Sequence, residues 1–426
     1  MVRIMAKAAR RNTGSAARKS RSQTPTGFLP NGTASFDYHA RTRLIFGANS
    51  IVRVGDLARS LGAKKILLVT DAGIVAAGHA IRVQHLLEAA GLKVTLFDQV
   101  HENPTTRDVD DCLGAVKKAG VDAIVGLGGG SSLDTAKGCN FLLTNGGHMQ
   151  DYWGVGKASK PLLPLIAIPT TAGTGSECQS FALIADATTH QKMACGDPKA
   201  SARVAILDPM LTMSQPRHVA ACTGVDAITH AVETAVTRKR NPLSLMYSHQ
   251  SFKLAAESFP KVLSKPDDLE ARGRMLLGAA LAGTAIENSM LGAAHSAANP
   301  LTAHYGIVHG QAVGLMLPAV VRFNAQFPAA RRAYAELAST LELACVSDGD
   351  GPAVKALVAR LEALLNLAGM PRSLADSGVP KSGIKTLAAE AAKQWTAGFN
   401  PRPVKEADFV RLYEAAFEQR GDGDRG

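Results

Sequence analysis

VDAIVGLGGGSSLDTAKG, Val121 to Gly138, decides the fold: a short apolar run, three consecutive glycines, then a segment with helical spacing. The run has the length and branched-residue content of a buried strand, and the turn that closes it, Gly128 to Ser132, leads into a helix start. Glycines lack Cβ, so the backbone can come close to a phosphate, and the unpaired N–H groups of a helix N-terminus donate to an anion with a favourable dipole. A glycine run also serves as a plain tight turn; the strand before and the helix after it favour the phosphate reading here. The turn is not a P-loop, because Ala136-Lys137-Gly138 replaces GK[ST]. Nor is it GxGxxG, since Ser131 stands where the third glycine, counted from Gly126, would be needed.

On either side of this stretch the same rhythm continues. KKILLVTD (Lys64 to Asp71), KVTLFD (Lys93 to Asp98) and PLIAIPTTAG (Pro164 to Gly173) have the character of buried strands. AIRVQHLLEAAG and TTRDVDDCLGAVKKAG between them are helix-like, each closed by Gly. Strand and helix alternating in this way predict a doubly wound parallel sheet, in which ligands bind beyond the carboxyl ends of the strands. Asp71, the Gly128 to Ser132 turn and Thr170 to Thr174 all fall at such ends, so they should converge on one ligand. Asp71 suits a ribose diol and opposes a 2′-phosphate, although an Asp there also suits a turn or helix cap.

After Asp208-Pro209 the chain is dominated by Ala-, Leu- and Met-containing stretches at helical spacing. Pro242, Pro260, Pro266, Pro300, Pro318 and Pro328 are expected at helix boundaries. The predicted organisation is a disordered basic tail over 1–35, an α/β dinucleotide-binding domain over 36–209, an all-helical metal-binding domain over 210–420 and a frayed tail over 421–426. A catalytic cleft between the two domains is the economical arrangement.

The helical half carries two spaced pairs of potential ligands. In TGVDAITHAVE, Asp226 and His230 stand four apart, so a helix presents both on one face. Taken alone, such a pair also makes a surface hydrogen bond or ion pair. His295 and His309 lie in GAAHSAANPLTAHYGIVHG, whose Gly306 and Gly310 suit a helix end or tight turn. One carboxylate and three imidazoles make a first shell for Fe²⁺ or Zn²⁺.

Composition narrows the class. A chain of 426 residues, 46% hydrophobic and 19% charged, is long enough for two domains, and no apolar run approaches a membrane span. The net charge of +11 does not point to nucleic acid. Seven cationic residues between Arg3 and Arg21, with no acid before Asp37, put most of the excess into the tail. That tail overlaps in composition with an organelle transit peptide and equally with a dispensable N-terminus; it lacks an apolar secretory core. Six scattered cysteines, without CxxC, predict reduced thiols in a cytoplasmic setting.

Read together, GGGSSLDTAK (Gly128 to Lys137), IPTTAGTGSE (Ile168 to Glu177), ILDP (Ile206 to Pro209), GVDAITHAVE (Gly224 to Glu233), NPLTAHYGIVHGQAVGLMLP (Asn299 to Pro318) and NPR (Asn400 to Arg402) resemble the successive motifs of the iron-containing (group III) alcohol dehydrogenases. The resemblance runs from about Asp37 to Phe417. It implies Asp226, His230, His295 and His309 as metal ligands. It also implies that Asp71, Gly129, Gly130, Ser131, Thr170, Thr171, Thr174 and Lys192 lie along NAD, that Asp134 supports the glycine turn, and that Asn103 lies near the nicotinamide. Phe181 falls where relatives line the substrate pocket. The implied activity is metal-dependent, NAD(H)-linked interconversion of a small primary alcohol or diol with its aldehyde, by an enzyme that relatives suggest is a homo-oligomer.

One position departs from the family pattern. Many relatives carry a further His four residues after the third ligand, suited to proton relay, where this chain has Asn299. Asn does not titrate in the working range, so a water chain, cofactor hydroxyls or nearby His304 would have to carry the proton. Alternatives in other classes are a glycerol dehydrogenase or dehydroquinate synthase-like enzyme of the same fold group, and a non-catalytic nucleotide- or metal-binding protein. The Asp226-x3-His230 and His295-x13-His309 spacing fits the iron-type enzymes better than the first of these.

Overall fold

Strands in the first half are continuous apolar runs because both faces of their sheet are covered. In the computed structural model, which describes residues 35–417 apart from Cys345, nine strands form. They are β1 (Arg43–Phe46), β2 (Lys65–Val69), β3 (Lys93–Phe97), β4 (Ala123–Gly128), β5 (Gly154–Val155), β6 (Leu165–Pro169), β7 (Phe181–Ala185), β8 (Lys192–Gly196) and β9 (Val204–Leu207). Six of them make an all-parallel sheet in the order β1-β9-β6-β4-β2-β3. Helices α1 (Val54–Ser60), α2 (Ala72–Ala76), α3 (His79–Ala89), α4 (Thr106–Val116) and α5 (Gly130–Asn145) alternate with its strands. Ile66 and Leu68 of β2 pack with α1 and α3 on one face, while Leu67 and Val69 pack with α4 and α5 on the other. This is the expected two-sided burial of a period-2 strand.

Among the described residues no strand follows β9. The chain continues as α6 (Arg217–Thr234), α7 (Pro242–Ser264), α8 (Leu269–Ser289), α9 (Ala293–Tyr305), α10 (His309–Asn324), α11 (Pro328–Ser339), α12 (Asp350–Ala368), α13 (Ile384–Ala391) and α14 (Glu406–Phe417). The parallel sheet with its helices and the helical half that follows match the predicted fold class. From Tyr38 onward the two halves pack as one compact unit. The expected disordered tail over 1–35, apart from Ser35, and the frayed tail over 421–426 lie outside the described residues. Among the described residues no helix is long and apolar enough to cross a membrane.

Several local expectations are corrected. Pro242 and Pro328 start helices and Pro266 separates α7 from α8, but Pro260, Pro300 and Pro318 lie inside helices. At Pro260 the missing N–H would leave the carbonyl of Ala256 without its helical partner; the Arg360 guanidinium donates to that oxygen instead, at 2.8 Å. Gly306 ends α9, with φ 64°, and Gly310 is the second residue of α10, so both glycines lie at helix ends. The sequence reading also passed over β1, β9 and a small sheet in the order β5-β8-β7.

Gly310 shows what small residues do here. A Cβ at this position would fall on the backbone carbonyl of Cys222, so its absence is what lets α10 lie directly against α6. Gly351, by contrast, has open space around a Cβ. Gly310→Ala should destabilise the protein by at least about 2 kcal/mol in chemical denaturation. Gly351→Ala should leave stability unchanged or raise it by about 0.5 kcal/mol. Equal effects at the two sites would contradict the close helix contact.

Candidate active site

The carboxyl ends of β2, β4 and β6 lie side by side, and the segments that leave them open into one cavity of about 810 Å³. The order of strands reverses between β2 and β4, the place where such sheets open a crevice. Asp71, Asn103, Gly129, Gly130, Ser131, Thr170, Thr171, Thr174 and Lys192 all line it. The three strand ends expected to converge thus open on one space, together with Asn103 and Lys192, which only the family resemblance had singled out.

The N-terminus of α5 has no side-chain cap, so its first N–H groups remain available at the glycine turn. Gly130 packs so closely on Thr174 that a Cβ would meet the threonine side chain at 2.7 Å, and Gly128 has φ 145°, a conformation few other residues adopt. Asp71 caps α2 by accepting from the Ile74 N–H at 3.1 Å, and it also accepts from the Ser132 hydroxyl at 2.9 Å. Both readings of Asp71, capping residue and cavity-facing carboxylate, thus hold together. Asn103 adopts φ 53° and donates its backbone N–H to the Ser131 hydroxyl at 3.3 Å.

Lys192 begins β8 and lines the same cavity half-buried. Burial lowers its pKa, while the carboxylates of Asp134 and Asp226 pull the other way. Asp134, expected to support the glycine turn, also lines the cavity, and its hydrogen bonds go to the 176–183 segment. Its carboxylate accepts from the Ser176 hydroxyl at 2.6 Å and the Leu183 N–H at 3.2 Å, with the Lys137 ammonium 3.8 Å away. Lys137 is wholly buried and donates to the Ser176 carbonyl, the Ser176 hydroxyl and the Phe181 carbonyl at 2.7–2.8 Å. These two residues, on one face of α5, tie that helix to the 176–183 segment.

At the far end of the cavity α6, α9 and α10 meet. Asp226 and His230 project from the middle of α6, His295 is the third residue of α9 and His309 the first of α10. Asp226 Oδ1 lies 3.4 Å from His230 Nε2, 3.4 Å from His295 Nε2 and 3.9 Å from His309 Nε2. Ligand atoms of Asp226, His230 and His295 fall within 4.8 Å of one another, while His309 stands at the more open rim.

Burial and the neighbouring charges set the proton states. Burial pushes His230 down to about 4, and burial with Lys192 nearby pushes His309 down to about 3, so both imidazoles are neutral at physiological pH. Burial opposes protonation of His295 too, but Glu233 and Asp226 outweigh it and raise it to about 9. Burial also raises the pKa of Asp226, yet the surrounding imidazoles prevail and lower it. Asp226 Oδ1 and His295 Nε2 are buried without a hydrogen-bond partner. Buried polar atoms are seldom left so, and a shared cation would satisfy both. The donor set, one carboxylate oxygen and imidazole nitrogens, fits Fe²⁺ or Zn²⁺.

Two expected roles do not survive the geometry. Asn299 is not among the cavity-lining residues; its amide donates to Gln394 Oε1 at 3.0 Å. His304 pairs with Glu390 at 2.9 Å on the surface, away from the cavity. Both partners belong to α13 and the segment that follows it. Phe181, in contrast, does line the cavity and stacks on Trp395 with ring centroids 5.4 Å apart. The sequence reading missed Ser132, Lys137 and Glu233. Glu233 lies seven residues beyond Asp226 on α6, two turns along one face, and that spacing was the available signal.

The comparisons agree with this architecture. The family model described as iron-containing alcohol dehydrogenase matches residues 41–209, and the one for the C-terminal part of the Fe-containing alcohol dehydrogenase family matches 220–417. The chain is 34% identical over 372 residues to an NAD-dependent methanol dehydrogenase of Bacillus methanolicus, covering 87% of this chain and 97% of that protein. It superposes on a 1,3-propanediol oxidoreductase with a TM-score of 0.87 at 32% identity, covering 90% of this chain and 100% of that one. A sulfoacetaldehyde reductase from Bifidobacterium kashiwanohense, in complex with NAD⁺, gives a TM-score of 0.81 at 27% identity over 91% of this chain and 100% of that one. With both halves matched and nearly the full length of its relatives spanned, the chain belongs to the iron-containing alcohol dehydrogenase family.

Proposed function

We propose that this protein is a metal-dependent, NAD(H)-linked oxidoreductase that interconverts a small primary alcohol or diol with its aldehyde. The observation that carries the reading is that the Asp226 cluster and the β2, β4 and β6 loops share one cavity. Asp226, His230, His295 and His309 would hold a divalent ion, Fe²⁺ or Zn²⁺, whose chemistry at this place is Lewis acidity toward the substrate oxygen. The nicotinamide cofactor supplies the hydride chemistry, and the protein supplies position and electrostatics.

The chain's own residues take the remaining roles. Asp71 accepts hydrogen bonds from ribose hydroxyls and repels a 2′-phosphate. N–H groups at the start of α5, with Thr170, Thr171 and Thr174 around them, receive the pyrophosphate. Lys192 adds positive charge between the two ends, and Asn103 lies along the nicotinamide side. Phe181, backed by Trp395, presents an apolar wall suited to a short carbon chain. Asn299 and His304 take no part in proton transfer in this reading, since neither opens to the cavity. The exposed outer edge of β1, with Leu44 and Phe46 at the surface, supports a homo-oligomer.

Two measurements test the halves separately. Metal analysis of purified protein should find about one Fe²⁺ or Zn²⁺ per chain, and His230→Ala should lose both the metal and at least about a hundredfold in kcat/KM for aldehyde reduction. Full activity in chelator-stripped protein would refute the metal's role. For the nucleotide, kcat/KM should favour NADH over NADPH, and Asp71→Asn should narrow that preference by about tenfold or more. A higher kcat/KM with NADPH in the unaltered protein would overturn the NAD assignment.

A further inference from the structure

The late motif Asn400-Pro401-Arg402 lies far along the chain from the cavity ligands and lines no part of the cavity, yet it reaches the start of α9. A helix N-terminus leaves its first N–H groups without intrahelical partners, and Gly292 before α9 has no side chain to cap them. Two distant residues do so instead. Glu233 accepts from the Gly292 N–H at 3.2 Å and the Ala294 N–H at 2.7 Å, and Asn400 Oδ1 accepts from the Ala293 N–H at 3.2 Å. The same Glu233 carboxylate meets His295 Nδ1 at 2.6 Å.

Neither cap is free to move. Both side chains are buried, at 2% exposure for Glu233 and 1% for Asn400. Asn400 Nδ2 donates to Asn324 Oδ1 at 2.8 Å and to the Arg402 carbonyl at 2.7 Å, while Asn324 Nδ2 donates back to Asn400 Oδ1 at 3.1 Å. The Arg402 guanidinium lies 3.9 Å over the ring of Phe323 and donates to the Phe323 carbonyl at 3.2 Å. A Cβ at Gly292 would stand only 3.0 Å from Glu233 Oε1 and 3.1 Å from Asn400 Oδ1, so both oxygens close on the backbone there.

We propose that Glu233 and Asn400 are positioning residues that set the tautomer and placement of His295 for the divalent cation. The inference rests on the reading of the Asp226 cluster as a metal site given above. A carboxylate oxygen accepts, so the bond to Glu233 places a proton on Nδ1 and leaves Nε2 as the ring atom turned toward Asp226 Oδ1, 3.4 Å away, where a cation would take its lone pair. Nδ1 of His230 and of His309 makes no such bond. Of the three imidazoles, His295 is the one whose Nδ1 is held by a buried carboxylate. Asn400 acts one step further out: it holds the helix turn from which His295 projects.

The test is a Zn²⁺ titration against a chromophoric chelator on metal-stripped full-length protein, with a thermal melt of each stripped variant. Glu233→Gln keeps the shape but presents an amide N–H to Nδ1, which drives the imidazole proton to Nε2. It should bind Zn²⁺ about 10- to 100-fold more weakly, and Asn400→Ala about threefold or more, each with NADH binding unchanged. Ser296→Ala is the control for loss of stability alone: it removes the 2.7 Å bond to Thr396 on the same helix turn and should lower the melting temperature without weakening Zn²⁺ binding.

Wild-type affinity in Glu233→Gln, or equal weakening in Ser296→Ala, would overturn the proposal, and wild-type affinity in Asn400→Ala would overturn its Asn400 half. His230→Ala separates this from the underlying reading. If that variant binds Zn²⁺ as tightly as wild type, the metal site itself is wrong; if it loses binding while Glu233→Gln does not, only the positioning role falls.

Discussion

Asp226 Oδ1 sits in the protein interior with three imidazole nitrogens 3.4–3.9 Å away and no hydrogen-bond donor of its own. Burying a carboxylate this way is unfavourable unless positive charge compensates it, so the neighbourhood has to be built around one. Three helices from different parts of the chain must come close enough to bring their ligands together. Small residues at the crossings allow this: Gly310 lets α10 touch the Cys222 carbonyl of α6, and Gly224 on the other side of α6 leaves room for the ring of Phe259. The run of Ala residues through α6, α8 and α9 serves the same end, since bulkier side chains would hold the helices further apart.

The same constraint couples the helical half to the sheet. The segment after β6 threads against α6 and α8, and two glycines make that approach possible. A Cβ at Gly173 would meet Thr223 at about 2.5 Å, and one at Gly175 would meet the Gly283 backbone at about 2.6 Å. Thr171 and Thr174 on this segment face the glycine turn of α5, while Ser176 is gripped by Lys137 and Asp134 from below. One loop therefore contacts both the nucleotide end and the helix that carries Asp226. That shared loop is one of the contacts that join the two halves into a compact unit.

Much of this was legible in the sequence, for reasons that differ by feature. The four core strands β2, β3, β4 and β6 announced themselves because two-sided burial writes continuous branched apolar runs. Asp226 and His230 were legible through helical spacing, and His295 and His309 through the family motifs. What stayed hidden depends on tertiary partners. β5 spans only two residues, too few for any period, and β1 at the sheet edge is largely exposed, with only Ile45 buried. Pro260 looks like a helix end until Arg360, a hundred residues away, supplies the missing bond. Asn299 drew attention because many relatives carry a His at that position, but its amide bonds to Gln394. Glu233 was quoted within a motif without a role, because a carboxylate two turns from Asp226 gains meaning only when α9 arrives with its bare N–H groups.

Charge along the cavity then takes an order that the chain could not show in one dimension. Asp71 places a carboxylate at one end, where Ile74 and Ser132 hold it in place. Next come the uncapped N-terminus of α5 and the ammonium of Lys192, both positive in character. Asp226 closes the far end with a second carboxylate among three imidazoles. A ligand that is hydroxyl-bearing at one end and anionic in the middle, lying next to a cation at the far end, matches this sequence of negative, positive and negative walls. A dinucleotide beside a divalent ion has that profile, whereas a single phosphorylated metabolite would set its charge against only one of the three. Lys192 matters because it belongs to neither end: the carboxylates of Asp134 and Asp226 both favour its charged form against burial.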